Sequence, residues 1–318
     1  MARRSVIGAA VLALAIACTA CTTGSAGGSP PGPASAGDAG PGVITVGSFD
    51  FPESVLLAHL YAEALSARGY PVRVLPDLGS RELVEPALMT GLVQLVPEYT
   101  GSALEFVSRG RAHATADIAA TGAALANRMA ARGIVTARPA AAQDANAIVV
   151  TGATASRYRL HTISDLARAA PGLVFGGPPE CPERPDCLPG LRRTYGLWFR
   201  AFAALDAGGP LTRQALEAGS IGAALLFTTD PAIRARHLVE LADNRDLQSA
   251  ENVIPVLRRA TVGRYGPGLL AALDTVSVRL STDALMSLDA QVELNGRSPR
   301  TVARTWLREQ GLVGARVP

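Results

Sequence analysis

Lysine is absent from this sequence, and all 30 basic residues are arginine, set against 27 acids. The bias is one of coding rather than of function. A net charge of +3 spread over 318 residues is too small to attract a polyanion, and no basic run with interleaved aromatics occurs, which excludes nucleic acid as a partner. Beyond the N-terminal region no apolar stretch reaches the ~20 residues that a membrane-spanning helix needs. Histidines and carboxylates do not gather at metal-ligand spacing, and His161 and His237 are isolated. No Ser/His/Asp order stands out and no glycine-flanked nucleophile elbow is found. An enzyme is therefore not expected, and neither a cofactor nor a metal. Repeats at solenoid periods are missing too.

Cysteine is scarce, with four in all, and their places are informative. Arg3 and Arg4 precede an apolar run from Val6 to Ala17, the length of a signal-peptide core and too short to span a bilayer. The run ends in Leu14-Ala15-Ile16-Ala17-Cys18, similar to a bacterial lipobox in which the cysteine carries the lipid. Cys21 is the poorer candidate, because Cys18 stands where an aliphatic residue is required. Residues 1–18 are thus read as a lipoprotein signal peptide. Residues 19–42, rich in Gly, Ser, Pro, Ala and Thr with Asp38 as the one charge, are read as a disordered tether. The expected address is the extracytoplasmic face of a cell membrane, reached through the lipid anchor only. Cys181 and Cys187 close a short proline-rich stretch, and in an exported chain they are expected to form a disulfide.

About 275 residues remain, more than one hydrophobic core usually holds, so two lobes are expected. Short apolar runs at 44–47, 72–75, 94–97, 147–150, 173–175, 223–226 and 253–256 read as strands. Helical stretches run from Pro52 to Ala67, from Ser80 as a cap toward Gly91 with Pro86 inside, from Thr115 to Arg132, from Thr212 to Ala218, and along the tail from Tyr265 to Leu312. Ser164 is read as the cap of a short helix at Asp165–Ala169. Trp198, Phe199 and Trp306 are assigned to packing. This alternation argues an α/β protein with parallel sheets.

Gly47-Ser48, Gly79-Ser80 and Tyr99-Thr100-Gly101-Ser102 each fall where a strand gives way to a helix. Helix N-termini present unpaired N–H groups, and strand ends of open α/β sheets form ligand crevices. Three such junctions point to a pocket.

Those segments also carry a resemblance. Gly47-Ser48-Phe49-Asp50-Phe51-Pro52-Glu53-Ser54, Leu78-Gly79-Ser80-Arg81-Glu82-Leu83 and Pro97-Glu98-Tyr99-Thr100-Gly101-Ser102-Ala103-Leu104 resemble the substrate-binding proteins of osmoprotectant ABC importers, which take up glycine betaine, choline, carnitine and related quaternary amines. Thr162–Leu166, Gly190–Leu197 and Phe227–Ile233 follow in the same order. The resemblance implies a type II periplasmic-binding-protein fold, two lobes joined by a hinge of two crossing segments, near Ala142–Asn146 and Asn252–Pro255. Lobe one is then 43–142 with 255–318, and lobe two 143–254. It further implies a small-molecule ligand and delivery to permease and ATPase subunits. The alternative is a surface lipoprotein that binds a non-betaine ligand or a partner for signalling.

Position by position, Tyr99 matches a tyrosine of the family's cationic cage, Ser54 a glutamine that contacts the ligand carboxylate, and Ser102 a threonine that does the same. Phe51, Ser80, Thr100, Asn146, Phe227, Thr229 and Asp230 complete the expected ligand-binding set, with Phe227 equally readable as core and Asp230 as a helix cap. Asn146 and Leu188 stand where cage tyrosines are expected. A cation–π contact is worth roughly 0.5–2 kcal/mol per ring, so two lost rings weaken a betaine about 5- to 1,000-fold. The expected ligand is a quaternary amine or another polar or aromatic solute, a hydroxyl-rich or aromatic one suiting the remaining residues better.

Overall fold

A computed structural model describes residues 42–112 and 114–314. The signal peptide, Cys18 and nearly all of the tether lie outside the described residues. Strands β1 (Ile44–Gly47), β2 (Val72–Leu75), β3 (Leu95–Tyr99) and β4 (Ile134–Thr136) belong to one sheet. The chain then crosses to a second sheet of β5 (Asn146–Thr151), β6 (Val174–Gly177), β7 (Ala201–Ala204), β8 (Ala223–Phe227) and β9 (Leu238–Glu240). It returns through β10 (Val253–Arg258). The spatial orders are β2-β1-β3-β10-β4 and β7-β6-β8-β5-β9.

Both sheets are mixed rather than parallel throughout. β10 runs antiparallel to β3 and β4, and β5 antiparallel to β8 and β9. Each of these is the first strand after a crossing. In each sheet the entering strand runs against both of its neighbours, so the antiparallel member marks the point of entry. The two crossings lie side by side, with Gln143 bridged to Asn252 and the Asp144 N–H donating to the Glu251 carbonyl at 3.0 Å.

Helices α1 (Pro52–Ser66), α2 (Arg81–Thr90), α3 (Thr100–Ser108) and α4 (Ile118–Ala130) precede the first crossing. Then come α5 (Gly152–Tyr158), α6 (Leu188–Tyr195), α7 (Pro210–Glu217) and α8 (Pro231–Ala235), and after β10 the tail α9 (Arg259–Tyr265), α10 (Gly268–Ser277), α11 (Thr282–Asp289) and α12 (Pro299–Glu309). Pro52 opens α1, where its missing N–H costs no bond. The buried residues Leu56, Leu57, Leu60, Tyr61 and Leu65 seat α1 between the sheet and the tail. There the Tyr61 hydroxyl meets Ser277 Oγ at 3.0 Å. In α12 the stripe Val302, Trp306 and Leu307 is buried, as the one-turn spacing requires.

Two caps differ from expectation. Ser80 precedes α2, but its hydroxyl donates to Glu82 instead of accepting from the helix. The short 3₁₀ turn at Ile163–Arg168 is entered from Thr162, whose N–H donates to Asp165 at 2.7 Å, and not from Ser164. Trp198 is 60% exposed with Arg192 stacked on it, whereas Phe199 does pack, against Phe175. One apolar core surrounds the first sheet, and two smaller ones cover the opposite faces of the second.

Candidate functional site

The C-terminal ends of β1 and β3 face the second sheet across a cavity of about 410 Å³, within the range of small-molecule sites. Its floor is aromatic. Phe51, at the entry to α1, lies 6.0 Å from the Tyr99 ring and 5.3 Å from the Phe227 ring between centroids, and is stacked on Phe49 at 5.9 Å. Phe227 ends β8, so this ring cluster joins the two sheets.

Beneath the rings runs a belt of buried polar groups. The Tyr99 hydroxyl donates to Glu53 Oε1 at 2.6 Å, and the Thr229 hydroxyl donates to Glu53 Oε2 at 2.6 Å. Asp144, in the first crossing, accepts the Thr229 N–H at 3.1 Å. Asp289 has no N–H or hydroxyl donor among the described residues and meets Glu53 carboxyl to carboxyl. Burial raises the proton affinity of Glu53, Asp144 and Asp289, and for Asp144 and Asp289 the charge of Glu53 adds to it. Adjacent carboxylates out of water cannot all ionise, so this cluster holds protons. No group of three or more His, Cys, Asp or Glu side chains among the described residues is arranged to hold a metal ion.

Two arginines line the cavity from opposite sheets. Arg81 opens α2 and forks onto Glu98 of β3, with Nε to Oε1 at 3.0 Å and Nη2 to Oε2 at 2.9 Å. Its guanidinium lies 5.0 Å from the Phe49 ring centroid. Arg184 sits in the loop closed by the Cys181–Cys187 disulfide, whose Cα atoms are 5.3 Å apart. From there it pairs with Glu82 of α2 at 2.8 Å and lies over the Phe106 ring of α3. A short disulfide loop has few conformations, which is how a loop residue is held across the cleft.

The ten residues expected to bind ligand divide between cavity and scaffold. Phe51, Ser80, Tyr99, Ser102, Asn146 and Phe227 line the cavity. Asn146 turns its amide to Asp186 at 2.8 Å and Gln248 at 3.2 Å. Thr229 and Asp230 border a small adjoining pocket instead, and Asp230 binds Arg213 while capping α8 through the Ala232 N–H. Ser54 is fully buried and accepts the Phe49 N–H at 2.9 Å. Thr100 donates to the Ala250 carbonyl and accepts the Asn252 N–H. Leu188 packs on the second-sheet core.

Arg184, which reads from sequence as a solvated loop residue beside the disulfide and outside the site, instead lines the cavity, because the closed loop carries it across to Glu82 and Phe106. Phe49, Arg81, Phe106 and Glu251, which sequence reasoning did not assign to the site, line it too. Phe49 and Arg81 carried a signal in their strand-to-helix junctions, Gly47-Ser48-Phe49 and Gly79-Ser80-Arg81-Glu82, and Arg184 in its place beside the disulfide. The others are brought in by folding.

Comparison with known proteins agrees with this architecture. Residues 42–309 match the family model for the substrate-binding domain of the ABC-type glycine betaine transport system. The chain is 30% identical over 281 residues to a glycine-betaine-binding protein of Pseudomonas aeruginosa, covering 85% of this chain and 88% of the relative. It is 26% identical over 278 residues to the glycine betaine-binding protein YehZ of Escherichia coli, covering 84% and 90%. A crystal structure described as a glycine betaine/carnitine/choline ABC transporter superposes with a TM-score of 0.67 at 22% identity, over 85% of this chain and 99% of that one. The last likeness shows the fold, that of the two-lobed periplasmic binding proteins.

Proposed function

Since the chain belongs to the family of substrate-binding domains of ABC-type glycine betaine transport systems, we propose that its cleft captures a quaternary amine or a related small solute for delivery to permease and ATPase subunits. The family is a solute-binding transport component, and the two-sheet fold suits capture by closure. The observation that carries the ligand reading is the position of Phe51, in ring contact with Tyr99 on one side and Phe227 of the second sheet on the other. Rings drawn from both sides of a cleft offer π faces to a cation only when the cleft is shut, so ligand binding and closure are linked. The lobes are taken as 43–142 with 255–318, and 143–254. The ligand set is narrowed to Phe51, Ser80, Tyr99, Ser102, Asn146 and Phe227, with Ser54, Thr100, Thr229 and Asp230 supporting it from behind. The cage is thinner than the family's, because Asn146 and Leu188 bring no ring.

Calorimetry against glycine betaine, choline, carnitine, polyols and phenolic compounds tests the reading. At least one quaternary amine is expected to bind. Phe51→Leu keeps apolar area and removes the π face, and should weaken that ligand about 2- to 30-fold, the worth of one cation–π contact. Binding of polyols or phenols alone would refute the cationic reading.

We place the protein on the outer face of the membrane, held by lipid at Cys18. The sequence ending in Ala17 supports this. In membrane fractions the Cys18→Ala variant should move from pellet to supernatant. If Cys21→Ala does so instead, the anchor lies at the other cysteine.

A further inference from the structure

The second crossing carries a carboxylate into the cleft. Glu251 is 4% exposed and lines the cavity. Its Oε2 accepts the N–H groups of Gly101 at 3.1 Å and Ser102 at 3.0 Å, and its Oε1 accepts the Ser102 hydroxyl at 2.8 Å. The Ser249 hydroxyl adds a longer contact at 3.3 Å. These N–H groups belong to the first turn of α3, which has no partner for them within the helix and favours negative charge. Gly101 is what lets the acid come so close. A Cβ at that position would stand 2.7 Å from Glu251 Oε1 and 2.1 Å from Ser249 Oγ. The anion position at the head of α3 is thus filled by the protein's own carboxylate.

The other groups suited to an anion are also engaged. The Ser54 hydroxyl holds the Phe49 N–H, Arg81 is forked onto Glu98, and Arg184 is paired with Glu82. Arg109 lines the cavity from its exposed rim at the end of α3. What the interior leaves for a ligand is a set of aromatic rings beside a carboxyl that already occupies the α3 donors and that, pushed up to about 7 by burial, is negative above that pH.

Resting on the quaternary-amine reading above, we infer that Glu251 is a specificity-determining residue: it stands in for a ligand carboxylate at α3 and selects cations that carry none, amino alcohols over amino-acid betaines. A betaine entering this cleft brings a second carboxylate to donors already occupied, and above about pH 7, where Glu251 is ionised, the two like charges repel. An amino alcohol brings a hydroxyl, which can donate to Glu251 without displacing it. Specificity then comes from a repulsive element built into the site as well as from attraction.

Choline and glycine betaine test this, since they share the trimethylammonium group and differ at the other end. Calorimetry on the full mature chain at about pH 8.5, where Glu251 is ionised, should find choline bound at least tenfold more tightly than glycine betaine. In Glu251→Ala the ratio should shift at least fivefold toward betaine, because the α3 donors are freed. Glu251→Gln, which keeps an acceptor for those donors and loses the charge, should shift it in the same direction. Thermal melts establish that each variant is folded. If the variants do not fold, the wild-type ratio decides alone, and betaine bound as tightly as choline overturns the inference. A shift under fivefold in folded Glu251→Ala also overturns it, with the quaternary-amine reading intact. Binding of neither ligand to any of the three proteins would instead remove that reading and the inference together.

Discussion

Glu98→Ala is expected to lower the unfolding free energy by about 3 kcal/mol, the lower end of the range for removing one partner of a buried ion pair. Glu98 is fully buried in β3 and takes both the Arg81 fork and the Tyr99 N–H, the latter at 3.0 Å. Its loss strands the Arg81 guanidinium, 12% exposed, against the Phe49 ring. The figure falls at the low end because Glu85 is close by. Its carboxyl is buried, meets no donor among the described residues, and is pushed up to about 8 by burial first and by the charge of Glu98 second. With Glu98 gone, Glu85 ionises more readily and takes over part of the pairing. Urea unfolding at neutral pH measures the loss. The double variant Arg81→Met/Glu98→Leu should recover most of it, because the cost lies in the unpaired charge and not in the missing contact. A single variant as stable as wild type would show that Arg81 has access to water.

Stability is also expected to fall as pH rises from about 5 to about 8, opposite to the trend in proteins held by salt-bridged carboxylates. Glu85 titrates at about 8 and Glu251 at about 7 in the folded protein, both raised chiefly by burial, against an ordinary 4.5. Glu53, Asp144 and Asp289 are raised as well. Between these limits the folded chain holds protons that the unfolded chain has released, so raising the pH favours unfolding. The contribution is whole below the unfolded values and is lost as pH climbs through the folded ones. At roughly 1.4 kcal/mol per unit, Glu85 and Glu251 together bring a loss on the order of several kcal/mol. Below pH 4.5 the sign reverses for Glu82 and Asp165, whose affinities are lowered, so a maximum near pH 5 is expected. Denaturation curves at pH 5.5 and 8.5 measure the slope, and Glu85→Gln and Glu251→Gln should each flatten it. A curve that is level or rises over that interval would mean that the carboxyls are hydrated.

The carboxyl belt also bears on how the lobes move. Glu53 belongs to α1, and Thr229 follows β8 of the second sheet. Arg213 of α7 joins Asp230 to Glu293 of the C-terminal tail at 2.7 Å. The Glu53–Thr229 bond and the Arg213–Glu293 pair thus join the second sheet's side to α1 and the C-terminal tail. An opening of the cleft must break or stretch them.

All seven strands expected from apolar runs are present, within about two residues at their ends. β4, β7 and β9 were not anticipated, because they are only three or four residues long, with β7 mostly Ala. Such segments become strands only when a neighbour supplies the hydrogen bonds. The strand-to-helix junctions at Gly47, Gly79 and Tyr99 were readable for a related reason: a pocket at strand ends follows from local alternation and from glycine and serine at the turns.

Local chemistry also set the Cys181–Cys187 pair and the Tyr99-Thr100-Gly101-Ser102 turn, since in each the partners are a few residues apart and chain geometry alone brings them together. Which hydroxyls were free for a ligand was beyond local reading. Ser54 and Thr100 have the right chemistry, but Phe49, Ala250 and Asn252 satisfy them first, and a buried polar group takes whichever partner the fold brings nearest. The same holds for Glu251, which is about 150 residues from the helix it caps. Strand, helix and turn arise from interactions over a few residues and are written along the chain. The charge balance of the cleft arises where two crossings and two sheets converge, and tertiary packing alone decided it.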